Sequence, residues 1–197
     1  MHTYPLSEYM RFIYADDWSG VADLMVSSAK KLATAGATFA ICPDNTIHQA
    51  FDMVVQRSPL PWLHIAGEVA QVAARHGYRR LGVLGTRYLM EGPVYPGQLA
   101  AVGIDSLTPP VEQRKRINEI IMDELVYGKF ESDSRAYFSR AIAELADRSC
   151  DAVVLGCTEI PLLVAQEDSP LPILDSTRLL ARAALSRATA ATAPSAL

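Results

Sequence analysis

The stretch Asp151-Ala-Val-Val-Leu-Gly-Cys-Thr158 runs from a short series of apolar residues into a polar, reactive end. Its apolar run, residues 152–155, is typical of a strand that is buried on both faces of a parallel sheet. A second stretch, Ala37-Thr-Phe-Ala-Ile-Cys-Pro-Asp-Asn-Thr46, has the same order, with a strand predicted over residues 38–42. Ligands of open parallel sheets bind at the carboxyl ends of the strands. We therefore predict two similar α/β units whose polar ends, the first tip (residues 43–46) and the second tip (residues 156–159), face each other across a cleft.

Short apolar runs alternate with segments of helical periodicity along the rest of the chain. This alternation is typical of βα units around a parallel sheet. Further strands are predicted at residues 81–84 and 173–174, with a weaker candidate at 62–65. Helices are predicted at residues 18–35, 66–76, 111–127, 132–148 and 176–188, with a short one at 160–166. The last residues, ATAATAPSAL, are expected to fray.

The composition is that of an ordinary globular protein. The chain has 197 residues, of which 50% are hydrophobic, enough for a core that needs neither disulfides nor a structural metal. The net charge of −4 does not provide the basic surface with which nucleic-acid binders neutralise phosphates. No apolar run approaches the ~20 residues of a membrane span, and the first residues lack the order of a signal peptide. We expect a cytoplasmic protein that acts on a small molecule, without a nucleic-acid or membrane partner.

The cysteines of the chain are Cys42, Cys150 and Cys157, and they lack CxxC spacing, so free thiols are predicted. Cys157 follows a predicted strand and precedes a short predicted helix, where backbone N–H groups favour a thiolate. A thiolate at this position can take a proton or attack carbon, and the alternative is a buried core cysteine. A zinc site could be imagined from residues in and beside the two tips, namely Cys42, Asp44, His48 and Cys157. Their spacing matches no recognised ligand pattern, so no metal is predicted.

The first tip offers one carboxylate and several neutral donors. Asp44 is a candidate acid or base, and the side chains of Asn45 and Thr46 are candidate donors to a substrate carboxylate. The alternative is a simple turn, because Pro-Asp-Asn is favourable turn chemistry. His48 and His64 are expected to be packing residues rather than catalysts.

Together these motifs resemble those of the aspartate/glutamate racemase superfamily. The resemblance rests on Pro43-Asp-Asn-Thr-Ile-His48 and Gly156-Cys-Thr-Glu-Ile-Pro-Leu-Leu163. Between them lie Leu60-Pro-Trp-Leu-His-Ile65, Gly82-Val-Leu-Gly-Thr86 and Arg116-Ile-Asn-Glu-Ile-Ile121, in the order and spacing of the amino-acid racemase branch. The resemblance covers nearly the whole chain.

This resemblance implies two flavodoxin-like or Rossmann-like lobes with parallel sheets, related by a pseudo-twofold axis, with the active site in the cleft between them. The first lobe would be residues 1–65 with 171–197, and the second residues 66–170. Such racemases use neither pyridoxal phosphate nor a metal, and two acid/base residues act on opposite faces of the substrate α-carbon. The resemblance therefore implies racemisation or epimerisation of an amino acid, aspartate or glutamate, by Cys157 and Asp44 in a homodimer.

The remaining site residues implied by the resemblance bind the substrate. Neutralising its carboxylate is a task for Asn45, Thr46, Thr158 and backbone N–H groups. Thr86 resembles a further substrate-binding position. Arg116 stands where the family often has a lysine that meets the acidic side chain of the substrate, and its alternative is a solvated helix charge.

The chain departs from the superfamily in two places. Where two-cysteine racemases have a thiol it has Asp44, whose unperturbed pKa near 3.9 matches a thiol poorly unless burial raises it. Such a pair predicts unequal rates for the two directions of proton transfer and an unchanged equilibrium. Met1 falls near what resembles the second strand, so we expect a start truncated by one βα unit, or else altered substrate binding. Two functions remain as alternatives: a single-cysteine lyase, decarboxylase or isomerase, and an inactive protein that binds an acidic metabolite.

Overall fold

A four-stranded parallel sheet lies at the centre of the structure, a computed structural model that describes residues 1–190. Its strands are β1 (Arg80–Leu84), β2 (Asp105–Leu107), β3 (Ala152–Leu155) and β4 (Ile173–Asp175), in the spatial order β2-β1-β3-β4. The predicted α/β class with a parallel sheet is confirmed. Fraying was predicted for residues 188–197, and residues 191–197 of this stretch lie outside the described residues.

The helices occupy most of the remaining described chain. They are α1 (Leu6–Tyr14), α2 (Trp18–Thr34), α3 (Phe51–Val55), α4 (Ile65–Arg75), α5 (Arg87–Glu91), α6 (Val94–Ala100), α7 (Val111–Asp123), α8 (Ser132–Asp147), α9 (Ile160–Leu163) and α10 (Ser176–Ala190). Short 3-10 segments lie at Thr46–Ala50, Leu125–Tyr127 and Gln166–Asp168. None of the helices within residues 1–190 is long and apolar enough to cross a membrane.

Each face of the sheet is buried against helices. The side chains of Val153 and Leu155 pack into a cluster with α7 and α8, to which α7 contributes Ile117, Ile120 and Ile121. Those of Ala152 and Val154 point to the opposite face and pack with α4 and α6. Because successive residues of a strand point to opposite faces, an uninterrupted apolar run is the sequence expected for burial on both faces.

The first part of the chain differs from the prediction of a second sheet. Between residues 38 and 42 the backbone pairs only at Ala40, which forms a single parallel bridge with Trp62. The strand predicted at 38–42 is therefore not formed as a ladder, and residue 65 of the weaker candidate begins α4. Two strands that pair with each other alone are only marginally stable. Instead α1, α2 and α3 form a separate apolar cluster.

Two other details of the fold were not apparent from the sequence. The edge strand β2 has only three residues, all of them partly or fully exposed, so it lacks the apolar run of a buried strand. The predicted helix 111–127 ends as α7 at Asp123 and continues as a 3-10 turn, which Gly128 terminates with φ +72°. Glycine is suited to this position because it carries no Cβ penalty in the left-handed region.

The end of the chain touches both predicted lobes. The strand β4 pairs with β3, so residues 173–175 lie in the sheet of the predicted second lobe. Near the end of α10, Arg187 lies over the ring of Phe39, 5.0 Å from its centroid. The division into residues 1–65 with 171–197 and residues 66–170 stays a prediction.

The packing of α1 on α2 depends on the absence of a side chain at Gly20. A Cβ at this position would lie 2.2 Å from Cδ1 of Phe12. We expect Gly20→Ala to displace α1 and to lower the free energy of unfolding by about 1–3 kcal/mol, measured by urea denaturation. Gly97→Ala in α6 is the control, because a Cβ there meets nothing within 4 Å. Equal stability of Gly20→Ala and wild type would contradict this close packing.

Candidate active site

The carboxyl ends of β1 and β3 approach closely at two glycines. The Gly156 N–H donates to the carbonyl oxygen of Leu84 at 2.7 Å. A Cβ at Gly85 would lie 3.2 Å from the Gly156 carbonyl oxygen, and one at Gly156 would lie 3.0 Å from that of Leu84. A side chain at either position would push the two strand ends apart. The glycines thus allow the loop with Thr86 and the second tip to lie side by side.

In the second tip, the thiol of Cys157 is hydrogen-bonded to a carboxylate. The Cys157 Sγ donates to Oε2 of Glu159 at 2.9 Å, and the hydroxyl of the exposed Thr158 donates to the same oxygen at 2.8 Å. Burial raises the pKa of Cys157 well above the ordinary thiol value, and the charges of Glu159 and Asp44 raise it further. The carboxylate of Glu159 is thus placed to accept the proton of this thiol.

Two aspects of this tip correct or extend the sequence analysis. A backbone hydrogen bond lowers the pKa of Cys157, in the expected direction, but burial and the Glu159 carboxylate raise it more, so the thiol form is favoured over the thiolate. The helix behind the tip, α9, has only four residues and ends at Leu163 rather than at residue 166. Glu159 was not among the predicted site residues, although its position two residues after the cysteine was a usable signal.

In the first tip, Asp44 lies two residues before the 3-10 turn Thr46–Ala50. Its Oδ1 accepts the N–H of Ile47 at 3.2 Å, which is the turn interaction considered as an alternative. Burial raises the pKa of Asp44, and the charge of Glu159 adds to this, while N–H groups of the turn lower it. The direction is the one that the sequence analysis required of an acid/base partner for Cys157.

Asn45 is buried and takes part in hydrogen bonds to residues far away in the sequence. Its Nδ2 donates to Ser176 Oγ at 3.0 Å, and its Oδ1 accepts the hydroxyl of Tyr95 at 2.7 Å. Ser176 in turn donates to the carbonyl oxygen of Leu155 at 2.9 Å. These bonds use one of the two Nδ2 protons of Asn45. Tyr95 and Ser176 were not among the predicted site residues.

Two of the predicted substrate-binding hydroxyls lie next to each other. The Oγ1 atoms of Thr46 and Thr86 are 3.0 Å apart and share a hydrogen bond between the first tip and the loop after β1. Thr86 also caps α5, because its Oγ1 accepts the N–H of Leu89 at 3.3 Å. Both hydroxyls are thereby held in place by the fold.

Arg116 is bound to acidic residues of its own region. Its guanidinium lies 3.4 Å from Oε2 of Glu119 and 3.3 Å from Oε1 of Glu124, and 47% of its side chain is exposed. Within residues 1–190 the ion pairs of Arg116 are with these two carboxylates, and neither belongs to a tip. These ion pairs therefore hold Arg116 to its own region rather than to Cys157 or Asp44.

The two histidines near the first tip are structural, as expected. The buried His48 donates from Nδ1 to the carbonyl oxygen of Asp44 at 2.7 Å and accepts the N–H of Ile65 on Nε2 at 3.3 Å. Burial, followed by the nearby His64, lowers the pKa of His48 to about 3, so the ring is neutral. His64 caps α4 by accepting the N–H of Gly67, and burial lowers its pKa to about 4.

The two remaining thiols pack against apolar clusters. Cys150 is buried in the core before β3. Cys42 packs against the apolar cluster of the first part of the chain, and burial followed by the charge of Asp44 raises its pKa to about 12. The part of the chain that the structure describes contains no group of three or more His, Cys, Asp and Glu side chains arranged to hold a metal ion.

Comparisons with known proteins place the chain in a family. A family model described as Asp/Glu/Hydantoin racemase matches residues 5–184. The broad specificity amino-acid racemase RacX of Bacillus subtilis is 24% identical over 176 residues, which span 88% of this chain and 76% of RacX.

Solved structures give the same result. A candidate Asp/Glu racemase from Yersinia pestis superposes with a TM-score of 0.87 and 34% identity, covering 95% of this chain and 82% of that protein. An aspartate racemase homologue from Pyrococcus horikoshii superposes with a TM-score of 0.79 and 28% identity, covering 90% and 78%. Racemases are enzymes of the isomerase class. With a family model matched over residues 5–184 and a solved structure of 34% identity that covers 95% of it, this chain belongs to the Asp/Glu/Hydantoin racemase family.

Proposed function

We propose that this protein racemises or epimerises an amino acid without a cofactor, with Cys157 and Asp44 as the two acid/base residues. The observation that carries the proposal is the hydrogen bond that the Cys157 thiol donates to the Glu159 carboxylate at 2.9 Å, directly after β3. Asp44 of the first tip is near enough for its charge to raise the pKa of this thiol, so that a donor, its acceptor and a second carboxylate are gathered after β3. The names of the three relatives reported above, a racemase, a candidate racemase and a racemase homologue, support the same reaction.

The chemistry proceeds in two proton transfers. In one direction, Cys157 passes its proton to Glu159 and, as a thiolate, removes the α-proton of the substrate. The electron pair of the broken C–H bond remains on the substrate and spreads into its carboxylate. Asp44, protonated because burial raises its pKa, then supplies a proton to the opposite face. In the other direction, Asp44 is the base and the Cys157 thiol is the acid.

The negative charge of the carbanion has to be stabilised by hydrogen-bond donors at the substrate carboxylate. Thr46 and Thr86, whose hydroxyls are held 3.0 Å apart, supply two of them. The second Nδ2 proton of Asn45 supplies a third, and the hydroxyl of Thr158 is available once it leaves Glu159. Because the two bases differ chemically, the two directions have unequal rates, while the equilibrium between the enantiomers is unchanged.

For the substrate we propose aspartate or glutamate, with the side-chain carboxylate bound by Arg116. Such binding requires the guanidinium to exchange Glu119 and Glu124 for the substrate, and its 47% exposure leaves it accessible for this. A guanidinium can bind a carboxylate with two parallel hydrogen bonds. A cytoplasmic homodimer remains part of this proposal as a prediction from the sequence.

The two-base reaction is tested by incubating L- and D-amino acids with the protein in D₂O and analysing the products by chiral chromatography and mass spectrometry. We expect deuterium at the α-position of the product enantiomer. Cys157→Ser and Asp44→Asn should each lower the rate by about 100-fold or more, because each removes one acid/base group. Cys150→Ser, at the other end of β3, should retain activity.

Two results would overturn this reaction. A Cys157→Ser variant that racemises as fast as wild type would exclude the thiol. Release of carbon dioxide without inversion would instead identify a decarboxylase with a single cysteine.

The pH dependence follows from the raised pKa of Cys157. The two active forms are a Cys157 thiolate with a protonated Asp44 and, for the other direction, an Asp44 carboxylate with a Cys157 thiol. Both forms are lost when both groups are deprotonated, so we expect kcat/KM to fall with pH as the Cys157 thiol ionises, above the ordinary thiol range near 8.5. Glu159→Gln removes a charge that raises the pKa of Cys157, so this falling limb should move to lower pH. Glu112→Gln, an exposed acid on α7, should leave it in place. An unmoved limb in Glu159→Gln would mean that this carboxylate does not control the thiol.

The role of Arg116 is tested by comparing substrates. Arg116→Gln should raise KM for aspartate and glutamate by about tenfold, because a charge-assisted hydrogen bond to the substrate is lost. The kinetics of alanine, which has no side-chain carboxylate, should not change. Lys115→Gln is the matched control, since it removes the neighbouring exposed charge of the same helix. Equal effects on aspartate and alanine would exclude Arg116 as the residue that selects acidic substrates.

A further inference from the structure

A short chain of buried hydrogen bonds runs between the two tips. Its members are Tyr95, Asn45 and Ser176, which are only 1%, 3% and 0% exposed. The Tyr95 hydroxyl donates to Asn45 Oδ1, Asn45 Nδ2 donates to Ser176 Oγ, and Ser176 donates to the carbonyl oxygen of Leu155. We call this set the buried polar chain.

The ends of the buried polar chain lie beside the two proposed acid/base residues. Asn45 directly follows Asp44, and Leu155 lies two residues before Cys157. The hydrogen bonds connect the first tip to α6, to the start of α10 and to the end of β3, which are segments far apart in sequence. A shift of one tip relative to the other would stretch or break these bonds.

Tyr95 contacts both sides of the site at once. Its hydroxyl binds Asn45, next to Asp44, while its ring lies against Gly156, next to Cys157. A Cβ at Gly156 would be 3.7 Å from Cε2 of Tyr95. The ring is itself fixed in the apolar cluster of α4 and α6 against the sheet. One rigid side chain thus spans the distance between the two tips.

We propose that Tyr95 is a positioning residue, whose hydroxyl and ring set the separation between the Asp44 carboxyl group and the Cys157 thiol. The description of these two groups as the acid/base pair rests on the proposed function; the positioning itself does not. Within these bonds the Oδ1 of Asn45 is paired by the Tyr95 hydroxyl, so removal of that hydroxyl leaves this oxygen unpaired in an apolar environment. The first tip would then shift to find another partner.

The inference is tested without substrate by alkylating the protein with iodoacetamide at a series of pH values and following Cys157 by peptide mass spectrometry. Tyr95→Phe keeps the ring and removes the hydroxyl. We expect the pH midpoint for Cys157 alkylation to fall, because the Asp44 charge that raises the pKa of this thiol is no longer held near it. Tyr78→Phe, in the same apolar cluster, should leave the midpoint unchanged.

A double-substitution cycle distinguishes positioning of the Asp44 carboxyl group from a general loosening of the structure around Cys157. Asp44→Asn removes the charge directly and should also lower the midpoint. Adding Tyr95→Phe to Asp44→Asn should then have no further effect, because the charge to be positioned is absent. An unchanged midpoint in Tyr95→Phe, or two shifts that simply add, would overturn the inference. If Tyr95→Phe does not fold, Ser176→Ala removes the next hydroxyl of the same chain and takes its place.

Kinetics provide the second readout. In D₂O, Tyr95→Phe should lower kcat by about 10- to 100-fold with little change in KM, since a small misplacement of reacting groups has costs of this size. The substrate recovered from the Tyr95→Phe reaction should contain more α-deuterium per inversion than that from wild type. With the opposite acid misplaced, the carbanion is reprotonated more often on the face from which the proton was removed. A wild-type protein that neither inverts nor exchanges any amino acid would refute the proposed function, whereas the alkylation result alone decides the positioning.

Discussion

The strands β1 and β3 pair in the middle of the sheet, and their carboxyl ends meet at Gly85 and Gly156 without room for a side chain. Both strands are buried on two faces by helices, so their direction and register are strongly constrained. The loop with Thr86 and the tip with Cys157 follow directly from these ends. The relative position of a substrate-binding hydroxyl and a reactive thiol is therefore determined by backbone pairing.

The electrostatic properties of the site depend on partial burial of like charges. Glu159 and Asp44 each raise the pKa of the Cys157 thiol, and Glu159 also raises that of Asp44. Such groups favour their protonated forms, which suits residues that must alternately give and take a proton. The neutral polar side chains around them are oriented by the fold: Thr86 caps a helix, and Asn45 is held by Tyr95. The surrounding structure thus maintains an arrangement that the charges alone would not favour.

The differences between prediction and structure have identifiable physical reasons. The strand expected at residues 38–42 forms only one bridge. Within the described residues Ala40 pairs with Trp62, and this single bridge does not extend into a ladder. Backbone N–H groups were expected to favour a thiolate at Cys157. Burial and the neighbouring carboxylate raise the pKa of this thiol by more than the backbone hydrogen bond lowers it. Arg116 was placed at the cleft by resemblance, and its two ion pairs with nearby glutamates depend on the fold of α7 and the turn after it.

The amino-acid sequence by itself determined the buried strands, most of the long helices and the reactive ends after two apolar runs, because periodicity and turn chemistry are local properties. It also placed Cys157, Asp44, Thr46 and Thr86 among the candidates. Only the tertiary structure decided which groups contact them. Tyr95 and Ser176 lie 50 and 131 residues from Asn45, and hydrogen bonds over such separations leave no local pattern. They arise when packing brings distant polar groups into one apolar region, where each must find a partner.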